Sequence, residues 1–238
     1  MPLPTVDWSS FAEVFDMFLQ YNPAYQEILA EFQEEARNWP LESDSVIVDA
    51  GAGTGNFSLA ASRIHPGSLT VHLEPDLRMI ARARAKAGET PPANLRMVRG
   101  RIEDDCIRSN SVSAMMCVHV LYSLPNPRDA LATMHRWLLP AGRIFLCDLG
   151  RIVDLNDWTR FFIGHLRRRF GVIGTARILW KGRVVAQQNR IIRDRQRDGT
   201  YWTHSPAQFA DIVEQTGFHV LSVRPCNRGY SHLVVAQK

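Results

Sequence analysis

VIVDAGAGTGNFSLA, residues 46–60, decides the reading of the chain. A β-branched run stops at Asp49, and Gly51, Gly53 and Gly55 follow at alternate positions. Glycines set like this let backbone pass very close to a ligand. A P-loop needs Gly-x-x-x-x-Gly-Lys-Ser/Thr, and neither Lys-Ser nor Lys-Thr follows. A dinucleotide fingerprint, Gly-x-Gly-x-x-Gly, would put its third glycine where Asn56 stands. With that glycine at 55, backbone stays bare across the turn, as suits an uncharged linker and an amino-acid moiety. Asp49 at the mouth would repel a diphosphate and suits a cationic ligand.

Outward from this loop, β and α signals alternate. Strands are predicted at 46–49, 68–73, 95–99, 112–118 and 143–148, with helices at 56–64, 75–86 and 128–138 between them. Val112 to Val118 is nearly all apolar, as expected of a parallel strand buried on both faces. Ser205-Pro206-Ala207-Gln208 reads as a capping box opening a helix that runs to Gly217. Phe218–Arg224 and Ser231–Ala236 then form a hairpin across Asn227-Arg228-Gly229. The pattern predicts an α/β fold: a doubly wound, seven-stranded, mostly parallel sheet with an antiparallel C-terminal hairpin strand. Its ligand site is expected at the carboxyl ends of the central strands. Before the sheet, a capping box at Ser10-Phe11-Ala12-Glu13 and an Asn22-Pro23 start predict two helices, the second ended by Trp39-Pro40. Two more helices, 156–170 and 174–193, are expected after it.

The sequence resembles the class I S-adenosylmethionine-dependent methyltransferases, from about Val46 to Lys238 apart from portions of 151–200. VDAGAGTGNFSLA is similar to the family's first motif, whose glycine loop packs under the methionine part of the cofactor. The resemblance implies that Asp49 and the loop around Gly51, Ala52, Gly53, Gly55 and Asn56 hold the ammonium end. LTVHLEPDLRMIARARAK is similar to the second motif, with Glu74 accepting both ribose hydroxyls and Pro75 bordering the adenine. One carboxylate can take two hydroxyl donors at once. VRGRIEDD matches the third motif in part. Where many relatives carry an aspartate for the adenine amino group, this chain has Arg101, and arginine cannot accept a hydrogen bond. The Ile102 N–H then serves a ring nitrogen and Glu103 takes over the amino group. S-adenosyl-L-homocysteine would be the product.

Methyl transfer from a sulfonium is an in-line displacement, so the protein mainly aligns the partners. His119, where the fourth strand ends, is the best-placed general base, or alternatively a polar wall of the cofactor pocket. Tyr122 is a second catalytic candidate, and His204 could approach from the C-terminal side. No metal is expected. Aromatic residues Phe11, Phe15, Phe18, Tyr21 and Tyr25 suit a lid made by residues 1–40, with Tyr21 as a cofactor contact.

Residues 41–150 and 201–238 would form the methyltransferase core. Residues 151–200 would be a basic substrate cap, holding eleven arginines and one lysine against four aspartates. Inward-facing arginines there would bind a carboxylate or phosphate, so a small acceptor is expected, anionic in that case, with an O- or N-nucleophile. An RNA methyltransferase using the same arginines and a non-catalytic cofactor-binding protein are the alternatives. The chain lacks the Asp/Asn-Pro-Pro-aromatic element used on base nitrogens, which disfavours nucleic acid. Four scattered cysteines predict reduced thiols, and with no apolar run of about 18 residues or leader-like start, a cytoplasmic protein without a membrane partner is expected.

Overall fold

The computed structural model describes residues 6–238, apart from the side chains of Phe18 and Leu19. Seven strands form one sheet: β1 (Val46–Ala50), β2 (Leu69–Glu74), β3 (Leu95–Arg99), β4 (Val112–Val118), β5 (Leu138–Leu149), β6 (His219–Cys226) and β7 (Ser231–Gln237). Their order is β3-β2-β1-β4-β5-β7-β6. The chain winds outward from β1 in one direction and from β4 in the other, so the switch point lies between β1 and β4. Ladders are parallel except those made by β7, which runs antiparallel to both β5 and β6.

Burial on both faces explains the composition of β4. Met115 and Cys117 enter one apolar cluster with Trp137, Leu131 and Phe209, while Ala114 and Met116 enter another with Phe32, Phe57 and Phe145. The first cluster is closed by α5 (Pro127–Trp137) and α8 (Pro206–Gln215). The second is closed by α2 (Pro23–Arg37) and α3 (Asn56–Ile64).

Local signals hold at several ends. Asn22 accepts from the Ala24 N–H at the head of α2, and Ser205 with Gln208 completes the capping box of α8. Other boundaries differ. Helix α1 (Trp8–Tyr21) starts before the Ser10 box, because the Asp7 carboxylate accepts both the N–H and the hydroxyl of Ser10. Helix α4 (Leu77–Ala87) starts two residues beyond the expected position, capped by Asp76. Strand β5 begins at Leu138, paired with Val112 through an irregular register, five residues before the expected start and where the preceding helix was expected to end. In the insert, α6 (Leu155–Lys181) is interrupted at Gly171, and Gly182 separates it from α7 (Arg183–Arg197). The second expected helix is therefore split at a glycine and runs four residues further.

Candidate functional site

A cavity of about 510 Å³ opens at the carboxyl ends of the central strands. Its floor is the turn after β1. Gly51 has φ +74°, and a Cβ there would stand 2.5 Å from Val120 Cγ2, so glycine is required both by conformation and by space. Gly53 has φ +55° with open space before it. Gly55 does not line the cavity. A Cβ there would meet the Ala83 Cβ at 3.0 Å, so this glycine lets the turn pack closely against α4.

Glu74, at the end of β2, is 7% exposed and ties the second motif to the first. Its Oε2 accepts the Gly53 N–H at 2.9 Å and its Oε1 the Asp76 N–H at 2.9 Å. Burial raises its pKa, against the pull of those two donors. Each oxygen still has a lone pair for a hydroxyl.

Asp49 is buried at the end of β1, and burial raises its pKa to about 7. The Ser58 hydroxyl donates to Asp49 Oδ2 and lies 3.0 Å from His72 Nδ1. Since Ser58 gives its proton to Asp49, His72 donates through Nδ1, forming a buried relay beneath the glycine loop. Burial holds the His72 pKa down at about 4.

Pro75, Met79, Arg101, Ile102 and Glu103 line the far end of the cavity, with Ile102 buried and Arg101 and Glu103 exposed at its rim. Arg101 donates its backbone N–H to Asp104.

His119 follows β4 with φ +56°, a left-handed conformation that turns it to the cavity wall. Its Nε2 is 2.9 Å from the Ser231 hydroxyl. Ser231 accepts from Asn227 Nδ2 at 3.0 Å, which leaves its own O–H for His119. Burial lowers its pKa to about 4, so the imidazole is neutral, with Nε2 occupied by Ser231. Asn227 lines the cavity at φ +50°, is 7% exposed, and its Oδ1 has no hydrogen-bond partner among the described residues. Tyr122 also lines the cavity, packed edge-on against Tyr201, and burial raises its pKa well above 10. His204 lies elsewhere, stacked near Trp202 and Phe209 and 3.1 Å from His232.

From the N-terminal helices, Trp8, Phe11, Phe15, Asn22 and Tyr25 line the cavity. Tyr21 does not. Its ring packs edge-on against Phe170, while Tyr25 reaches Asn56 Nδ2 at 3.5 Å. Asp16 of α1 fastens the helix over the loop, accepting from the Thr54 hydroxyl at 2.7 Å and from Lys86 and Arg82 of α4. Lys86 also donates to Thr54 and Asn56.

The insert supplies Val153, Trp158, Phe162, Asn189 and Ile192 to the cavity and no arginine. The expectation of inward arginines is corrected: most face solvent, and Arg228 in the hairpin turn is spent on Asp157 at 2.9 Å. Sequence reading missed Trp158, Phe162, Asn189, Asn227 and Ser231, for which only their polar or aromatic character was visible.

Residues 48–146 match a family model described as a methyltransferase domain. The chain carries a methyltransferase domain. Its methyl donor is S-adenosylmethionine, and the glycine cradle, Asp49 and Glu74 fit that molecule's cationic amino-acid end and ribose diol. Solved structures share the methyltransferase fold across nearly the whole chain. A chain in the complex of the Haloferax volcanii Trm112 methyltransferase activator with a candidate methyltransferase is 16% identical, with a TM-score of 0.63 over 98% of each chain. A methyltransferase from Aquifex aeolicus is 14% identical, with a TM-score of 0.59 over 96% of this chain and 97% of its own. One from Mesorhizobium loti is 16% identical, with a TM-score of 0.56 over 86% and 96%. No curated protein matches this methyltransferase.

Proposed function

We propose that this methyltransferase acts on a small, largely apolar acceptor bound between the insert and the end of β5. The observation that carries this reading is the lining of that half of the cavity. Leu149, Val153, Trp158, Phe162 and Ile192 are apolar, Asn189 and Asn227 are the amides among them, and no basic residue of the insert takes part. Trp158 and Phe162 stack with centroids 5.5 Å apart, a surface suited to a flat ring. The unpartnered Asn227 Oδ1 is an acceptor for an N–H or O–H of the substrate.

When bound, S-adenosylmethionine supplies an activated methyl group on sulfur. In this reading Asp49 faces the ammonium, Glu74 the ribose hydroxyls, and Ile102 with Pro75 the adenine. Helices α1 and α2 act as a lid and exclude water through Phe11, Phe15 and Tyr25. His119, neutral and with Nε2 occupied by Ser231, orients the reacting pair through Nδ1 and is not the general base. Tyr122, with its raised pKa, is a wall. The reaction then depends on alignment, and the acceptor must present a ready lone pair, as an amine, a ring nitrogen or an acidic hydroxyl does.

The test is release of S-adenosylhomocysteine with a panel of neutral aromatic amines and phenols and their carboxylated or phosphorylated analogues. Turnover of neutral members is expected. Preference for the anionic analogues, or for RNA, would overturn the reading.

A further inference from the structure

The insert bears a surface that the cavity does not use. Between Asp157 and Asp194 the chain holds eight arginines, one lysine and no acidic residue. Within this stretch Val172, Ile173 and Trp180 are 66%, 87% and 68% exposed, and Phe170 and Leu179 are exposed as well. Among the described residues Ile173 is the most exposed large apolar side chain. Single exposed apolar residues need no explanation, but five within eleven positions form a patch of the kind that marks an interaction site. The break in α6 belongs to this patch. Gly171 takes φ 65°, ψ −174°, a conformation reached almost only by glycine, immediately before Val172 and Ile173.

The cations are placed with the apolar groups. Arg183 lies over the Trp180 ring at 4.5 Å and Arg169 over Phe170 at 5.3 Å. Among the described residues, no carboxylate pairs with Arg167, Arg168, Arg169, Arg177, Lys181 or Arg183. Unpaired cations beside exposed Trp, Ile and Val side chains match the two requirements of a bilayer surface: attraction to anionic headgroups and insertion at the headgroup–acyl boundary.

We propose that residues 167–183 dock this protein on an anionic lipid bilayer. Ile173 and Trp180 enter the boundary layer and the surrounding arginines meet lipid phosphates. Nucleic acid would satisfy the arginines but leave Val172 and Ile173 in water. A second copy of the same face would bring like charges together. The expectation of no membrane partner rested on the lack of a spanning segment. No helix among the described residues is long and apolar enough to cross a membrane, and surface docking needs none. The same two helices carry Trp158, Phe162, Asn189 and Ile192 of the cavity, so the docked surface and the acceptor compartment share one support. The contact stands whichever acceptor the cavity takes.

The test is flotation of the full chain with phosphatidylcholine vesicles, with and without phosphatidylglycerol. Wild type is expected to float with the anionic vesicles alone, and Trp180 emission to be quenched by brominated acyl chains. Each of Arg168→Glu and Arg169→Glu should weaken partition by about fivefold or more. Ile173→Asp should weaken it by about tenfold or more while leaving S-adenosylmethionine affinity and circular dichroism unchanged, because its side chain lies outside the cavity and in solvent. The proposal fails if wild type does not bind anionic vesicles at low salt, or if Ile173→Asp binds them as wild type does. It fails equally if RNA displaces the vesicles and binds Ile173→Asp and wild type alike, or if the patch proves to be a self-association face that Ile173→Asp abolishes.

Discussion

The Ser231 hydroxyl, on β7, stands 2.9 Å from His119 Nε2, on the loop after β4, and is itself held by Asn227. This contact occupies Nε2 and leaves Nδ1 as the free ring nitrogen of His119 at the cavity wall. Ser231→Ala removes this partner and lets the ring rotate or change tautomer. One lost hydrogen bond of this type is worth about 1 kcal/mol, so kcat should fall by roughly fivefold with cofactor affinity little changed. Because burial holds the His119 pKa near 4, the wild-type kcat profile should show no imidazole titration above pH 5, tracking the acceptor instead. A step near pH 6.5 that vanishes in His119→Gln would restore the general-base role.

Asp49 predicts a pH dependence with opposite signs for stability and binding. Its folded pKa is raised to about 7 from an ordinary 3.8, chiefly by burial. Its contribution to stability is therefore full below 3.8 and is lost as pH rises to about 7. In the proposed mode of cofactor binding the ionised carboxylate meets the ammonium. Affinity should rise by up to about tenfold per pH unit below 7, level off above it, and be accompanied by proton release. Calorimetry in two buffers of different ionisation enthalpy checks this, and Asp49→Asn should flatten the curve.

The glycines of the loop should not be equivalent. Gly51→Ala meets Val120 at 2.5 Å and forces a non-glycine residue to φ +74°, whereas Gly53→Ala has room for its Cβ. A left-handed conformation alone costs about 1–2 kcal/mol, so Gly53→Ala should lower stability by that amount and Gly51→Ala by more. Thermal unfolding of the two variants without ligand separates packing from cofactor contact.

Asp16 bridges α1 to the glycine loop through Thr54 and Lys86. Asp16→Ala should loosen α1 and leave the Lys86 ammonium, already partly buried, without its carboxylate. The expected result is faster cofactor release and greater proteolysis within residues 8–21, with the sheet intact by circular dichroism. Unchanged release would show that α1 stays closed without this clasp.

The parts of the site readable in the sequence are those made by neighbours in the chain. Asp49 to Asn56 is one turn, Glu74 ends the next strand, and the Asn22-Pro23 and Ser205-Pro206 helix starts depend on residues beside them. What could not be read depends on helix rotation and long-range contact. Tyr21 and Tyr25 lie four apart across a helix junction, and only packing against Phe170 and Asn56 separates their roles. The arginines of 151–200 have no directional signal, since an amphipathic pattern does not say which face meets the cavity. Ser231 and His119 are 112 residues apart, and β7 must enter the sheet beside β5 before they meet.

Titration of S-adenosylmethionine into wild type and Glu74→Ala tests the central claim most directly. The Glu74 carboxylate organises the Gly53 and Asp76 amides, and in the proposed binding mode its remaining lone pairs take the ribose diol. Wild type should bind one molecule per chain. The variant, losing two charge-assisted hydrogen bonds of about 1.5–3 kcal/mol each, should bind at least a hundredfold more weakly while remaining folded. Equal affinity of the two proteins would contradict the account.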